Sequence, residues 1–190
     1  GVVCVCAPNC AETLELYMAL WEAGAVVAAL NPRWTEREAS VAMRTVGAVV
    51  VVVGAADAGT AASAAAAAAG RSCGLHVVAF AVARAHEEPT VPVPSSGHMA
   101  GEVRVPVQTA QLWPSGERAS MVCFTSGTTG APKGVALSLG ALGAQGLAKL
   151  THCGFTAETA LLQSAPLSHV GGLSSAVACL MAGGRPPGAP

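Results

Sequence analysis

The residues best suited to chemistry lie in one run, Met121-Val122-Cys123-Phe124-Thr125-Ser126-Gly127-Thr128-Thr129-Gly130-Ala131-Pro132-Lys133-Gly134. Hydroxyls at Thr125, Ser126, Thr128 and Thr129 surround Gly127 and Gly130, and a single cation, Lys133, closes the run. That composition suits a loop wrapped around a polyphosphate. Glycine lets the backbone approach an anion closely and adopt positive φ. Successive N–H groups can then point at one anion, hydroxyls add donors, and the ammonium adds a point charge. The order is not that of the common NTPase P-loop, which needs Gly-Lys followed by Ser or Thr; here Pro132 precedes the lysine and Gly134 follows it. The competing interpretation is a plain Ser/Thr/Gly surface turn. A second candidate run is Pro166-Leu167-Ser168-His169-Val170-Gly171-Gly172. The other histidines, His76, His86, His98 and His152, fall in no partner pattern.

These runs need elements to position them. Gly1–Ala7 is an apolar run of strand length that ends at Pro8-Asn9. Leu14, Tyr17, Met18 and Trp21 have helical spacing over 11–23, and Gly24 is placed to end that helix. Ala25–Leu30 is a second buried run, turned by Asn31-Pro32. Thr35 with Glu38 forms a capping-box pattern that starts another helix, which Gly47 ends before the strand Ala48–Val53. Strand alternating with helix predicts a mostly parallel sheet flanked by helices, an α/β fold. The alanine-rich stretch 55–74 predicts a helix near 57–69, with a poorly packed linker as the alternative; Leu75–Val82 is a further strand. Residues 85–117, with Pro89, Pro92, Pro94, Pro106 and Pro114, form an irregular connection carrying a short strand at Glu102–Val107. It is long for a loop within a compact domain, so it separates two lobes. A strand from Ala119 enters the glycine-rich loop and Val135–Leu137 leaves it. A helix at 139–151, a strand at Leu161–Ala165 and a helix at 173–182 follow. The division is therefore a first α/β lobe over 1–84, the irregular connection 85–117, the start of a second α/β lobe with the phosphate loop over 118–182, and a disordered tail over 183–190.

The bulk properties narrow the partners. With 190 residues, 10 Lys and Arg against 11 Asp and Glu, and a net charge of −1, the chain offers no electrostatic case for nucleic acid or anionic membranes. No apolar run is long enough to span a bilayer. Of seven cysteines, Cys4, Cys6 and Cys10 form C-x-C-x₃-C, which lacks the paired C-x-x-C spacing of zinc sites; Cys4 and Cys6 are read as buried small hydrophobes and the compartment as reducing.

Phe124 through Lys133, with Pro-Lys-Gly at the end of the loop, resembles the signature of the AMP-forming acyl-activating enzymes: acyl-CoA synthetases, luciferases and peptide-synthetase adenylation domains. Gly24–Arg33, ending in Leu30-Asn31-Pro32-Arg33, looks like the family's early structural motif. Pro166-Leu167-Ser168-His169 with the glycine pair looks like its next core motif. Within the family, Asn31-Pro32-Arg33-Trp34, the stretch Gln145 to Leu150, and His169 through Ser175 running into Leu180-Met181-Ala182-Gly183 look most like the plant and algal members that join 2-succinylbenzoate to CoA in phylloquinone and menaquinone synthesis.

The resemblance implies a partial N-terminal domain of the adenylate-forming ligase fold and a two-step reaction. A carboxylate attacks the α-phosphorus of ATP, giving acyl-AMP and pyrophosphate; the CoA thiol then displaces AMP to give the thioester. It implies that Thr125, Ser126, Gly127, Thr128, Thr129, Gly130 and Lys133 hold the β- and γ-phosphates, with Mg²⁺ accompanying ATP and Thr128 as one ligand. Lys133 and His169 are then the catalytic candidates, with His169 beside the acyl carboxylate and α-phosphate; as a lone residue it reads more readily as a satisfied histidine at a strand end, and the motif reverses that preference. Gly171 and Gly172 leave room for the acyl group, or form a plain turn. Leu139 departs from the polar residue common at that place. The family's adenine-binding acidic motif, ribose-binding aspartate, hinge and C-terminal lysine do not occur in these 190 residues, so the chain reads as an N-terminal fragment, inactive alone, of a parent that takes a small carboxylic acid, ATP and CoA. Other acyl-CoA ligases of fatty acid or 4-coumarate type, and a non-catalytic nucleotide-binding remnant, are the alternatives. An intracellular, reducing location, with chloroplast or peroxisome as the organelle, is implied by the resemblance alone.

Overall fold

The computed structural model describes residues 1–55, 61–81, 118–126 and 132–185. β1 (Val2–Cys6), α1 (Ala11–Glu22), β2 (Val26–Ala29), α2 (Glu36–Thr45), β3 (Ala48–Ala55), α3 (Ala61–Ser72) and β4 (His76–Ala81) alternate as the sequence predicts. β5 (Ala119–Ser126), β6 (Pro132–Ser138), α4 (Leu139–Cys153) and α5 (Val170–Met181) follow. The strands form one sheet in the order β4-β3-β1-β2-β5-β6, parallel except for β6, which runs antiparallel to β5.

Side chains alternate across a strand, and both faces of this sheet are covered. Val3 and Val5 of β1 face a core shared with Leu14 and Tyr17 of α1, Leu142 of α4 and Leu173 of α5. Cys4 and Cys6 face the opposite core, built with Ala39 and Met43 of α2 and Ala66 and Ala69 of α3. Burial on both faces is why β1, β2 and β3 read as unbroken apolar runs. The thiols of Cys4 and Cys6 are pushed up to about 12 and about 11 by burial, with Cys73 adding to the Cys4 shift, so they serve as core residues.

α2 begins with the anticipated capping box: Thr35 N donates to Glu38 Oε2 at 2.8 Å, and Glu38 N donates to Thr35 Oγ1 at 3.3 Å. α3 is described over Ala61–Ser72, with residues 57–60 of the anticipated helix outside the described residues, and it packs. A Cβ on Gly70 would clash with Val51 Cγ1, so the small residues let this helix lie close on the sheet, and the loose-linker alternative is set aside.

Three expectations are corrected. Leu161–Ala165 is not a strand; it runs as irregular chain beside an isolated bridge between Ala160 and Arg185. Its backbone is bound by a side chain instead of a ladder, because Asn9 Nδ2 donates to Ala165 O at 3.0 Å and to Gln163 O at 3.4 Å. The tail is ordered through residue 185: Gly184 N donates to Cys179 O at 2.9 Å and Arg185 N to Thr159 O at 3.0 Å. Residues 186–190 of the anticipated disordered tail lie outside the described residues. α5 begins at Val170, ahead of the anticipated 173, because His169 caps it. β5, which begins at Ala119 just past the boundary expected at 118, pairs with β2 in the same sheet as β1–β4 through Val27↔Met121, Ala28↔Val122 and Ala29↔Cys123. The connection 85–117, with its strand at Glu102–Val107, lies outside the described residues.

Candidate functional site

The site follows from the sheet order. β1 leads into α1 on one face and β2 into α2 on the other. The two loops therefore diverge at the carboxyl ends of adjacent parallel strands, and such a switch point leaves a crevice suited to a ligand. A cavity of about 880 Å³ occupies it, lined among others by Asn9, Arg33, Trp34, Thr125, Pro132 and His169. Trp34 and Phe124 meet edge to face on its wall, with ring centroids 5.2 Å apart and planes at 71°. Glu38 also lines it; backbone and hydroxyl hydrogen bonds from Thr35 hold its carboxyl below the usual range.

The β5–β6 hairpin brings Phe124, Thr125 and Pro132 to the wall of this cavity. Its ladder is paired up to Thr125↔Lys133 and Ser126↔Pro132, and Thr125 Oγ1 lies 3.5 Å from Lys133 O as a long donor contact. Gly134 permits the close packing behind it, since a Cβ there would sit 2.9 Å from Val122 Cγ1 and 3.5 Å from Phe124 Cε1. Thr125 is exposed and lines the cavity; Lys133 is exposed in the first residues of β6, beside the cavity-lining Pro132. Gly127, Thr128, Thr129 and Gly130 lie outside the described residues, as does the Ser126 side chain. The described residues contain no cluster of three carboxylate, imidazole or thiol groups able to hold a metal ion. Mg²⁺ would fit here only in the manner it favours with nucleotides, carried by the phosphates with few protein ligands.

His169 reaches the same cavity from the opposite side. It is the N-cap of α5, and its Nδ1 accepts from Gly171 N at 3.2 Å. That bond assigns the proton of the neutral ring to Nε2, leaving Nε2–H as a donor. Gly171 and Gly172 fall in the first turn of α5, and neither lines the cavity. A Cβ on Gly172 would collide with Pro166 O and lie 2.7 Å from Ala165 O. The space this glycine leaves is therefore filled by backbone.

Two groups escaped the sequence reading. Asn9, taken only as a strand terminator, accepts from Leu167 N at 2.7 Å while donating to Ala165 O. It ties the segment before His169 to the end of β1, and an asparagine directly after a buried strand was its one signal. Lys149 of α4 donates to Ser175 Oγ at 2.7 Å and Ser174 Oγ at 2.8 Å in α5. It is the one lysine or arginine of α4, and it lay within the stretch Gln145 to Leu150 without being singled out.

Comparison with known proteins gives the family and the fold. Residues 1–186 match the family described as AMP-binding enzyme. The chain is 35% identical over 184 residues to the chloroplastic/peroxisomal 2-succinylbenzoate–CoA ligase of Arabidopsis thaliana, covering 96% of this chain and 32% of that protein. A malonyl-CoA ligase solved as a ternary product complex with methylmalonyl-CoA and AMP is 27% identical at a TM-score of 0.64, over 96% of this chain and 33% of that one. A long-chain-fatty-acid–CoA ligase of Archaeoglobus fulgidus, 20% identical, shares the fold at a TM-score of 0.69, over 97% of this chain and 34% of that one. The chain thus spans about a third of the length of these relatives.

Proposed function

The chain belongs to the AMP-binding enzyme family, and on that premise we propose that it forms the ATP- and acid-facing part of an AMP-forming acid–thiol ligase whose acid is 2-succinylbenzoate. The observation that carries this reading is that Thr125 and Pro132 of the hairpin and His169 line one cavity at the switch point of the sheet, with Lys133 paired to Thr125 beside it. The similarity to the Arabidopsis ligase over almost the whole chain supports the choice of acid.

In this reading the loop from Thr125 to Lys133 holds the β- and γ-phosphates. Adenylation gathers negative charge on the departing pyrophosphate, and fixed donors aimed at that charge lower the barrier. Each hydrogen bond to a charged oxygen contributes about 1.5–3 kcal/mol. Lys133 supplies the point charge, and Thr125, Ser126, Thr128 and Thr129 the hydroxyls. Mg²⁺ bound to ATP would add charge neutralisation, with Thr128 as the contributing hydroxyl. His169 presents Nε2–H to the acid carboxylate and the α-phosphate oxygens as they approach. Bond order then balances: the carboxylate oxygen bonds to the α-phosphorus and pyrophosphate leaves with its electron pair. The CoA sulfur next bonds to the acyl carbon, its proton passing to solvent, and AMP leaves. The organelle follows the relative, chloroplast or peroxisome.

The complete protein carrying this chain should release pyrophosphate from ATP when given 2-succinylbenzoate, in preference to fatty acids, 4-coumarate or malonate. A preference for one of the other acids would retain adenylation and overturn the substrate.

A further inference from the structure

Lys149 sits partly buried between α4 and α5, where Gly146 lets the helices touch; a Cβ there would lie 2.7 Å from Met181 Sδ. The ammonium is 2.7 Å from Ser175 Oγ, 2.8 Å from Ser174 Oγ and 3.4 Å from Gly171 O. An ammonium only donates. The two hydroxyls therefore accept from it and pass their own protons on to Gly171 O, at 3.2 Å from Ser174 and 3.0 Å from Ser175. A chain of hydrogen bonds with fixed direction strengthens its members. Gly171 is also the residue whose N–H holds His169 Nδ1. One residue thus joins the lysine to the imidazole that borders the cavity.

The charge is the unusual part. All of the described partners of Lys149 are neutral oxygens, and the first turn of a helix already carries positive partial charge. A partly buried cation normally has a counter-charge, and a methionine or glutamine would fill this place without that cost. An anion arriving beside His169 would relieve it.

We propose that Lys149 is a positioning residue for the acid substrate: through Gly171 it fixes the His169 ring, and its charge, acting through these bonds from behind the cavity wall, favours an ionised carboxylate beside that ring. The inference rests on the acid-binding reading given above. It is tested in the complete ligase with two compounds, 2-succinylbenzoate and its derivative in which the reacting carboxylate is a primary carboxamide. Lys149→Met should raise the KM for the acid about tenfold, the size expected for losing one charge-assisted interaction. The KM for ATP and the inhibition constant of the carboxamide should stay near wild type, and Lys149→Arg should restore most of the selectivity. Should Lys149→Met fail to fold, Lys149→Gln, which keeps a donor for Ser174 and Ser175 without charge, carries the same comparison. Equal weakening of acid and carboxamide, or no change in either, would overturn the role of Lys149 while leaving the ligase intact. A wild-type enzyme that binds neither compound would overturn the acid assignment as well.

Discussion

The carboxamide of Asn9 and the backbone of Leu167, 158 residues apart in sequence, meet at 2.7 Å. With the second bond from Asn9 Nδ2 to Ala165 O, this contact sets the path of the segment that delivers His169 to the end of β1. Replacing Asn9 with alanine leaves the amide of the buried Leu167 without its acceptor. An unsatisfied buried donor costs about 1–3 kcal/mol, so Asn9→Ala should lower the urea midpoint accordingly. Asn9→Asp keeps the acceptor for Leu167 but turns a carboxylate oxygen, which cannot donate, towards Ala165 O, so it should not restore the wild-type midpoint. Equal stability of Asn9→Ala and wild type would show that the contact is not formed.

Two glycines separate close packing from helix propensity. Gly172→Ala forces a methyl into Pro166 O and should destabilise by about 1–3 kcal/mol, the usual range for overpacking. Gly143, in the middle of α4, has nothing within 4 Å of where its Cβ would stand. Gly143→Ala should therefore stabilise by up to about 1 kcal/mol through helix propensity. Thermal melts of the two variants should move in opposite directions.

The buried thiols predict an alkaline limit. The thiols of Cys4, Cys6 and Cys123 lie at about 12, about 11 and about 11, above the ordinary 9.0, chiefly through burial. Between those limits the folded chain binds more protons than the unfolded one. The stability these groups contribute is therefore complete below pH 9.0 and is lost as pH rises towards 11 to 12. Denaturation midpoints should fall across that window, and Cys4→Ala should flatten part of the decline even while lowering stability at neutral pH. A flat profile to pH 11 in wild type would contradict the burial of these thiols.

The N-cap of α2 can be checked alone. Thr35→Ala removes the hydroxyl that accepts from Glu38 N, and loss of such a cap costs about 1 kcal/mol. The lowered carboxyl of Glu38, caused first by the Thr35 backbone bond, adds stability that is present above the unfolded value and lost as acidification passes the folded one. Glu38→Gln should remove that acid-side slope; a slope unchanged by the substitution would assign it to other carboxylates.

Much of this architecture was legible before folding because a parallel sheet buries both faces of its strands, turning β1, β2 and β3 into uninterrupted apolar runs that glycines and a capping box punctuate. Leu161–Ala165 misled because it is short and opens on the apolar pair Leu161-Leu162, yet its backbone partners come from a carboxamide 156 residues away at Asn9, which no local pattern records. The Pro-rich end misled in the opposite sense, since Gly184 and Arg185 are held by bonds to Cys179 and Thr159. Of the candidate site, Thr125, Lys133 and His169 were singled out from residue types, order and family resemblance, and Thr125 and His169 line one cavity. Asn9 and Lys149 were not, because their partners lie on elements whose adjacency only the sheet order and helix packing establish.

The central claim is that the loop ending at Lys133 serves carboxylate adenylation. It is tested most directly by exchange of labelled pyrophosphate into ATP by the complete protein in the presence of 2-succinylbenzoate. Exchange should appear only with the acid, and Lys133→Ala should slow it by about tenfold or more, the loss expected for one charge-assisted contact to the leaving phosphates. Absence of exchange with this and every other carboxylic acid offered, or exchange indifferent to Lys133, would contradict it.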